Sequence, residues 1–116
     1  MPRFCLTTTL HEGKHDEYKE WHDNIYPEVA RGLTRAGVTQ LTIFHVPNTS
    51  TLILYATTQP GVDLNDATGP DSAYRASHER IRQWETIMET EFHCGWSKCE
   101  EIHSSDVQWI LHLSSS

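Results

Sequence analysis

The stretch VTQLTIFHVPNTSTLILYATT, Val38 to Thr58, decides the fold. It reads as two strands, Val38–Val46 and Thr51–Thr58, rich in β-branched and aromatic side chains. Between them PNTS supplies a tight turn, with Pro47 and Asn48 setting its geometry. The result is a hairpin with apolar residues on both parities: Leu41 and Ile43 on one face, Phe44 and Val46 on the other. Side chains alternate along a strand, so a hairpin apolar on both faces is covered on both. Helices can cover one face, and a partner molecule is a natural cover for the other.

Upstream, RFCLTTTL, Arg3 to Leu10, reads as a first strand. A helix follows, whose positions Tyr18, His22, Ile25, Val29, Leu33 and Ala36 are spaced 4, 3, 4, 4 and 3 apart and so share one face. Pro27 cannot donate a backbone hydrogen bond and crowds the preceding turn. The spacing therefore predicts a kink, or two helices meeting near Asn24 with Pro27 in the first turn of the second. Gly37 is suited to end it, because glycine accepts the left-handed backbone that terminates helices.

Downstream of the hairpin, Gln59 to Pro70 is a loop rich in glycine, proline and aspartate. Residues 71–92 are predicted as a second helix, capped by Asp71 or Ser72. Its inward stripe is Tyr74, Ser77, Ile81, Trp84, Ile87 or Met88, and Phe92. Gly95 to His103 is a fourth strand. The order βαββαβ predicts an α+β, ferredoxin-like sandwich with one antiparallel sheet and helices on a single face. The doubly apolar hairpin then predicts two sheets packed face to face, a dimeric α+β barrel. Residues 1–103 form the single domain. Residues 104–116 form a tail, with an extra strand expected in Val107 to Leu113 and disorder in the closing serines.

Composition narrows the function. With 116 residues, one domain is expected. Sixteen acidic against nine basic residues give a net charge of −7, which argues against nucleic acid and against an anionic membrane surface. No apolar run resembles a signal peptide or a membrane span. Three cysteines, an odd number, fit a reducing cytoplasm better than a disulfide scaffold.

Several constellations carry chemistry. Tyr18 and His22, four apart on the buried face, could grip a hydroxylated ligand and move its protons near neutrality. Trp84, with Gln83 beside it, could wall such a pocket, although a helical tryptophan is commonly core filling. His93, Cys94, Cys99 and His103 are ligand types that zinc accepts, but strand alternation and the lack of a CxxC knuckle weigh against a metal site. His11 and His15 could also bind a metal, whereas a solvated helix start is the plainer interpretation. Phosphate loops and nucleophile elbows are absent from the sequence.

HDEYKEWHDNIYPEV, followed by GVTQLTIF, TLILYA, QWETIM and SKCEEIH, resembles the L-rhamnose mutarotase family across most of residues 1–103. The resemblance implies a dimeric barrel that interconverts the anomers of a 6-deoxy-hexose such as L-rhamnose or L-fucose, without a cofactor or metal. It implies that His22 is the acid/base and that Tyr18 binds sugar. It further implies that Leu41 occupies the place of a pocket tyrosine, and that Gln83 and Trp84 occupy the places of a tryptophan pair. The substrate would be a free monosaccharide and the protein a cytoplasmic homodimer. Another enzyme of the same barrel, such as a small monooxygenase or a haem-binding protein, and a non-catalytic sugar-binding dimer are the alternatives.

Overall fold

A computed structural model describes residues 2–93 and 95–105 of the chain. Strand β1 (Arg3–Thr9) leads into helices α1 (His15–Asp23) and α2 (Pro27–Arg35), and then into the hairpin β2 (Val38–His45) and β3 (Thr51–Thr58). Three helices come next, α3 (Leu64–Thr68), α4 (Ala73–Ala76) and α5 (Glu79–Ile87); a π-helical turn (Met88–Phe92) then leads to a short β4 (Ser97–Lys98). The sheet is antiparallel with order β2-β3-β1-β4, the ferredoxin-like arrangement expected from βαββαβ. Among the described residues, no helix is long and apolar enough to cross a membrane.

The helix break falls where proline predicts it. Asn24 closes α1, both its backbone N–H and its side-chain amide donating to the Glu20 carbonyl. Tyr26 adopts extended backbone, and Pro27 opens α2 at a position whose N–H would have no intrahelical partner. Arg80 of α5 holds this corner: its guanidinium stacks 3.8 Å from the Tyr26 ring centroid and donates to Glu28 at 3.1 Å. Gly37 follows α2 with φ +97°, the left-handed geometry that glycine adopts most cheaply.

Register explains the two faces of the sheet. Leu6, Ile43 and Leu54 stand side by side across three strands, and they pack with Val38, Ala56 and Leu64 under the helices. On the opposite parity, Phe44 pairs with Ile53, and Tyr55 lies between Cys5 and Thr42. Phe44 remains 54% exposed.

Three expectations are corrected. The second helix is broken at Ser77 and His78. Ser72 caps α4 by accepting from the Arg75 N–H, and His78 turns extended and accepts from the Arg80 N–H to start α5. Ser77 is accordingly exposed, its hydroxyl donated to the Tyr74 carbonyl, rather than part of the inward stripe. The loop after β3 contains α3, which Asp63 caps and which buries Leu64. The fourth strand is two residues long; beyond it the Cys99 N–H donates to the Cys5 carbonyl at 2.8 Å. The predicted tail strand, Val107 to Leu113, lies outside the described residues.

Candidate active site

The site is built on α1. Its inward face buries Tyr18 and half-buries His22, both toward a cavity of about 540 Å³ between the helices and the sheet. That size lies within the range typical of small-molecule pockets, ~300–1,000 Å³. Leu41, Ile43 and Leu54 form its floor, while Trp84, Glu85 and Met88 from α5 and the turn after it form its far wall. A second cavity of about 450 Å³ shares Tyr18, His22, Ile25, Leu41 and Ile43 with it. The groove therefore runs along the underside of α1.

The imidazole is fixed in one orientation. His22 Nδ1–H donates to the Tyr18 carbonyl at 2.9 Å, the acceptor one turn earlier in α1. A carbonyl only accepts, so the neutral ring keeps its proton on Nδ1 and its lone pair on Nε2. Aromatic rings hold it on two sides: Tyr18 at 4.3 Å and Trp84, edge-on, at 5.2 Å between centroids. Tyr26 and Trp21 brace Trp84 in turn, at 5.4 and 5.8 Å.

Burial lowers the His22 pKa, with a contribution from nearby His93; the Tyr18 carbonyl only partly offsets this. His22 is therefore a neutral base at neutral pH. Burial pushes the Tyr18 phenol well above its ordinary range, and the charge of Glu85 adds to the effect. Tyr18 accordingly remains protonated and available as a donor. One base and one donor, side by side in a mostly apolar cavity, can take and give protons at hydroxyl groups.

Of the residues singled out in the sequence, His22, Tyr18, Leu41 and Trp84 all border this cavity. Gln83 does not: it lies on the exposed side of α5. His93 is buried, its ring 5.6 Å from Tyr18 and 4.9 Å from Trp96, and borders the same cavity. Cys99 pairs with β1 at the sheet edge, His103 is exposed, and Cys94 lies outside the described residues. Among the described residues no three metal-ligating side chains converge. His11 Nδ1–H donates to the Glu91 carbonyl, while His15 lies edge-to-face with His45.

Sequence reasoning missed Glu85 and His93 as cavity residues. The signal for Glu85 was present. Ile81, Glu85 and Met88 are spaced 4 and 3 apart, so the carboxylate sits on the buried stripe itself.

Fold and pocket together define a small α+β protein with a cavity of small-molecule size bordered by a histidine and a tyrosine. The crystal structure of L-rhamnose mutarotase FA22100 from Formosa agariphila shares the fold, with a TM-score of 0.70 and 23% identity over 91% of this chain and all of that one. Residues 3–114 match the family described as L-rhamnose mutarotase, and the chain belongs to that family. The L-fucose mutarotase of Xanthomonas campestris is 32% identical over 92 residues, 76% of this chain and 69% of the relative. The L-rhamnose mutarotase of Burkholderia orbicola is 51% identical over 44 residues, 38% of this chain and 42% of the relative. That of Bacillus subtilis is 39% identical over 55 residues, 47% and 53% of the two chains. The chain thus spans about half the length of these two rhamnose-named relatives.

Proposed function

We propose that the protein is a cofactor-independent mutarotase that interconverts the α and β anomers of a 6-deoxy-hexose such as L-rhamnose or L-fucose. The observation that carries this is the His22–Tyr18 arrangement: a neutral imidazole, locked with Nε2 unprotonated, in a cavity large enough for one monosaccharide. His22 Nε2 takes the proton of the anomeric hydroxyl O1. The C1–O5 bond breaks as the ring oxygen receives a proton, giving the open aldehyde. Rotation about C1–C2 and the reverse transfers close the other anomer. Each such general acid or base typically contributes ~10²–10⁴ in rate.

Tyr18 donates to a sugar hydroxyl and Trp84 presents an aromatic wall to the apolar C–H face of the ring. Leu41, where the family resemblance places a tyrosine, makes the floor apolar there and suits the methyl at C5. Both rhamnose and fucose carry that methyl, and relatives named for each sugar support the 6-deoxy class.

The working unit under this reading is a cytoplasmic homodimer. Exposed Phe44 and half-buried Ile53 and Tyr55, on the sheet parity opposite Leu6, Ile43 and Leu54, are the apolar surface a second sheet would bury. Light scattering at micromolar protein tests this, and a monomer mass overturns it.

Saturation-transfer NMR of the anomeric protons tests the activity, over a panel of L-rhamnose, L-fucose and other hexoses. Accelerated exchange with a 6-deoxy sugar is expected. Unchanged exchange for every sugar defeats the proposal.

A further inference from the structure

The wall opposite His22 carries a carboxylate that the acid–base chemistry above does not use. Glu85 follows Trp84 on α5 and borders the same cavity as His22 and Tyr18. Its side chain is only 21% exposed. Tyr74 donates its hydroxyl to Oε1 at 2.8 Å. Arg75 Nη2 lies 3.7 Å from Oε2, close enough for charge attraction but beyond hydrogen-bond length.

Arg75 is committed elsewhere. It donates to Glu89 at 2.7 Å and, through Nε, to the Thr68 carbonyl at 3.0 Å. A carboxylate has about four acceptor positions. Tyr74 fills one on Oε1, so the carboxylate, which borders the cavity, keeps acceptor capacity. A buried carboxylate in a mostly apolar cavity is costly to desolvate without hydrogen-bond donors. The ligand must supply donors without added negative charge, and because the Arg75 guanidinium also borders the cavity, an uncharged polyol suits it better than an ammonium.

We propose that Glu85, braced by Tyr74 and Arg75, is the acceptor for a ring hydroxyl of the bound sugar and the residue that makes the pocket select uncharged sugars. The proposal rests on the mutarotase reading for its ligand. It also answers a gap left by that reading. Leu41 offers no polar group to the ring, and Gln83 points to solvent, so polar recognition shifts to α5 one residue beyond Trp84. Tyr74 and Arg75 are positioning residues: they hold the carboxylate and need not touch the sugar.

The test compares wild type with Glu85→Gln, a near-isosteric change that removes the charge and turns one acceptor into a donor. KM and kcat are read by anomeric exchange with L-rhamnose, L-fucose and their singly deoxygenated analogues. Glu85→Gln is expected to raise KM about tenfold or more for the parent sugar, as loss of a charged hydrogen bond does, with a much smaller effect on kcat. For the one analogue that lacks the contacted hydroxyl, wild type and variant should have the same KM. An unchanged KM for the parent sugar overturns the proposal. So does a KM increase of equal size for every analogue, which marks a general distortion.

If Glu85→Gln does not fold, Tyr74→Phe carries the same panel. It leaves the carboxylate but removes its brace, and the same single analogue should escape the penalty; a uniform penalty, or none, overturns the proposal. Wild type that accelerates no exchange defeats the mutarotase reading on its own. In that case the same sugars and variants are compared by Kd from isothermal titration, with the same expected pattern. Wild type that binds no sugar overturns both.

Discussion

The rings of Tyr18 and His22 lie 4.3 Å apart, one helical turn from each other, and the histidine returns its Nδ1–H to the tyrosine's own carbonyl at 2.9 Å. One residue thus supplies both the phenol beside the imidazole and the carbonyl that fixes its orientation. No second element is needed to set the tautomer, so the orientation of His22 survives changes elsewhere in the pocket as long as α1 stays helical.

Removing the base tests its role directly. His22→Ala is expected to lower kcat/KM by ~10²–10⁴-fold in the anomeric exchange assay. Its melting temperature should change little, because the half-buried imidazole makes a local hydrogen bond with its own helix. Full activity in His22→Ala would remove it from the mechanism.

The pH profile depends on the direction of the His22 shift. Under the proposed mechanism the active form is the neutral imidazole, and burial places its pKa below the usual 6.5. Activity should be flat around neutrality and fall on the acidic side, with a midpoint below 6.5. Stability has the same sign. The unfolded chain takes up a proton on this histidine at higher pH than the folded one does. The stability contribution is fully present above the unfolded pKa and is lost as pH falls through the folded value. Activity and thermal melts measured across mildly acidic pH check both; an acidic limb centred above 6.5 would contradict the burial argument.

Helices α2 and α5 touch at Gly32. A Cβ there would lie 2.7 Å from Ile81 Cδ1 and 3.0 Å from the Tyr74 ring. Ile81 is fully buried, so little room exists to give way. Gly32→Ala should destabilise by ~1–3 kcal/mol in denaturant titration despite alanine's better helix propensity. A stabilised variant would mean that this contact is looser than its distances indicate.

At the corner between α1 and α2, Arg80→Met removes the stacking on Tyr26 and the pair with Glu28. The Arg80 side chain is 44% exposed, so solvent screens the charge pair and the loss should be no more than ~1 kcal/mol. Most of that loss should persist at high salt, since stacking contributes alongside the charge pair.

On the open sheet face, Phe44→Asp places a charge opposite Ile53. In a sheet-to-sheet dimer it should shift the mass toward monomer in light scattering while leaving the far-ultraviolet circular dichroism unchanged. A dimer of undiminished strength would place the interface elsewhere.

Much of this architecture was legible in the chain. The hairpin, the helix break at Pro27 and the Tyr18–His22 face rest on local rules of alternation, proline chemistry and helical spacing, and local rules survive into the folded state. The break in the second helix was less accessible, because Ser77 and His78 read as ordinary helical residues until their side chains are seen serving backbone groups of neighbouring turns. The fourth strand is shorter than its residues suggest for a different reason. Its length depends on what β1 offers as a partner, which is a non-local property. Within the site, Glu85 was passed over because a charged residue on a helix usually faces water. Its burial is compensated by Tyr74, eleven positions away, and by Arg75, neither of which spacing alone connects to it.

The π-helical turn over Met88–Phe92 has a further consequence. Its closing bond runs from the His93 N–H to the Met88 carbonyl, so the turn holds one residue more than an α-turn would. Deleting a single residue there would restore ordinary winding and swing the downstream chain by ~100° about the helix axis. His93 would leave the neighbourhood of Tyr18, and the bridge between Leu10 and His93 that joins the first strand to the end of the helix would be lost. The far end of the pocket is thus sensitive to chain length. Gain or loss of one residue, more than any exchange of side chains, is the change that would redraw it.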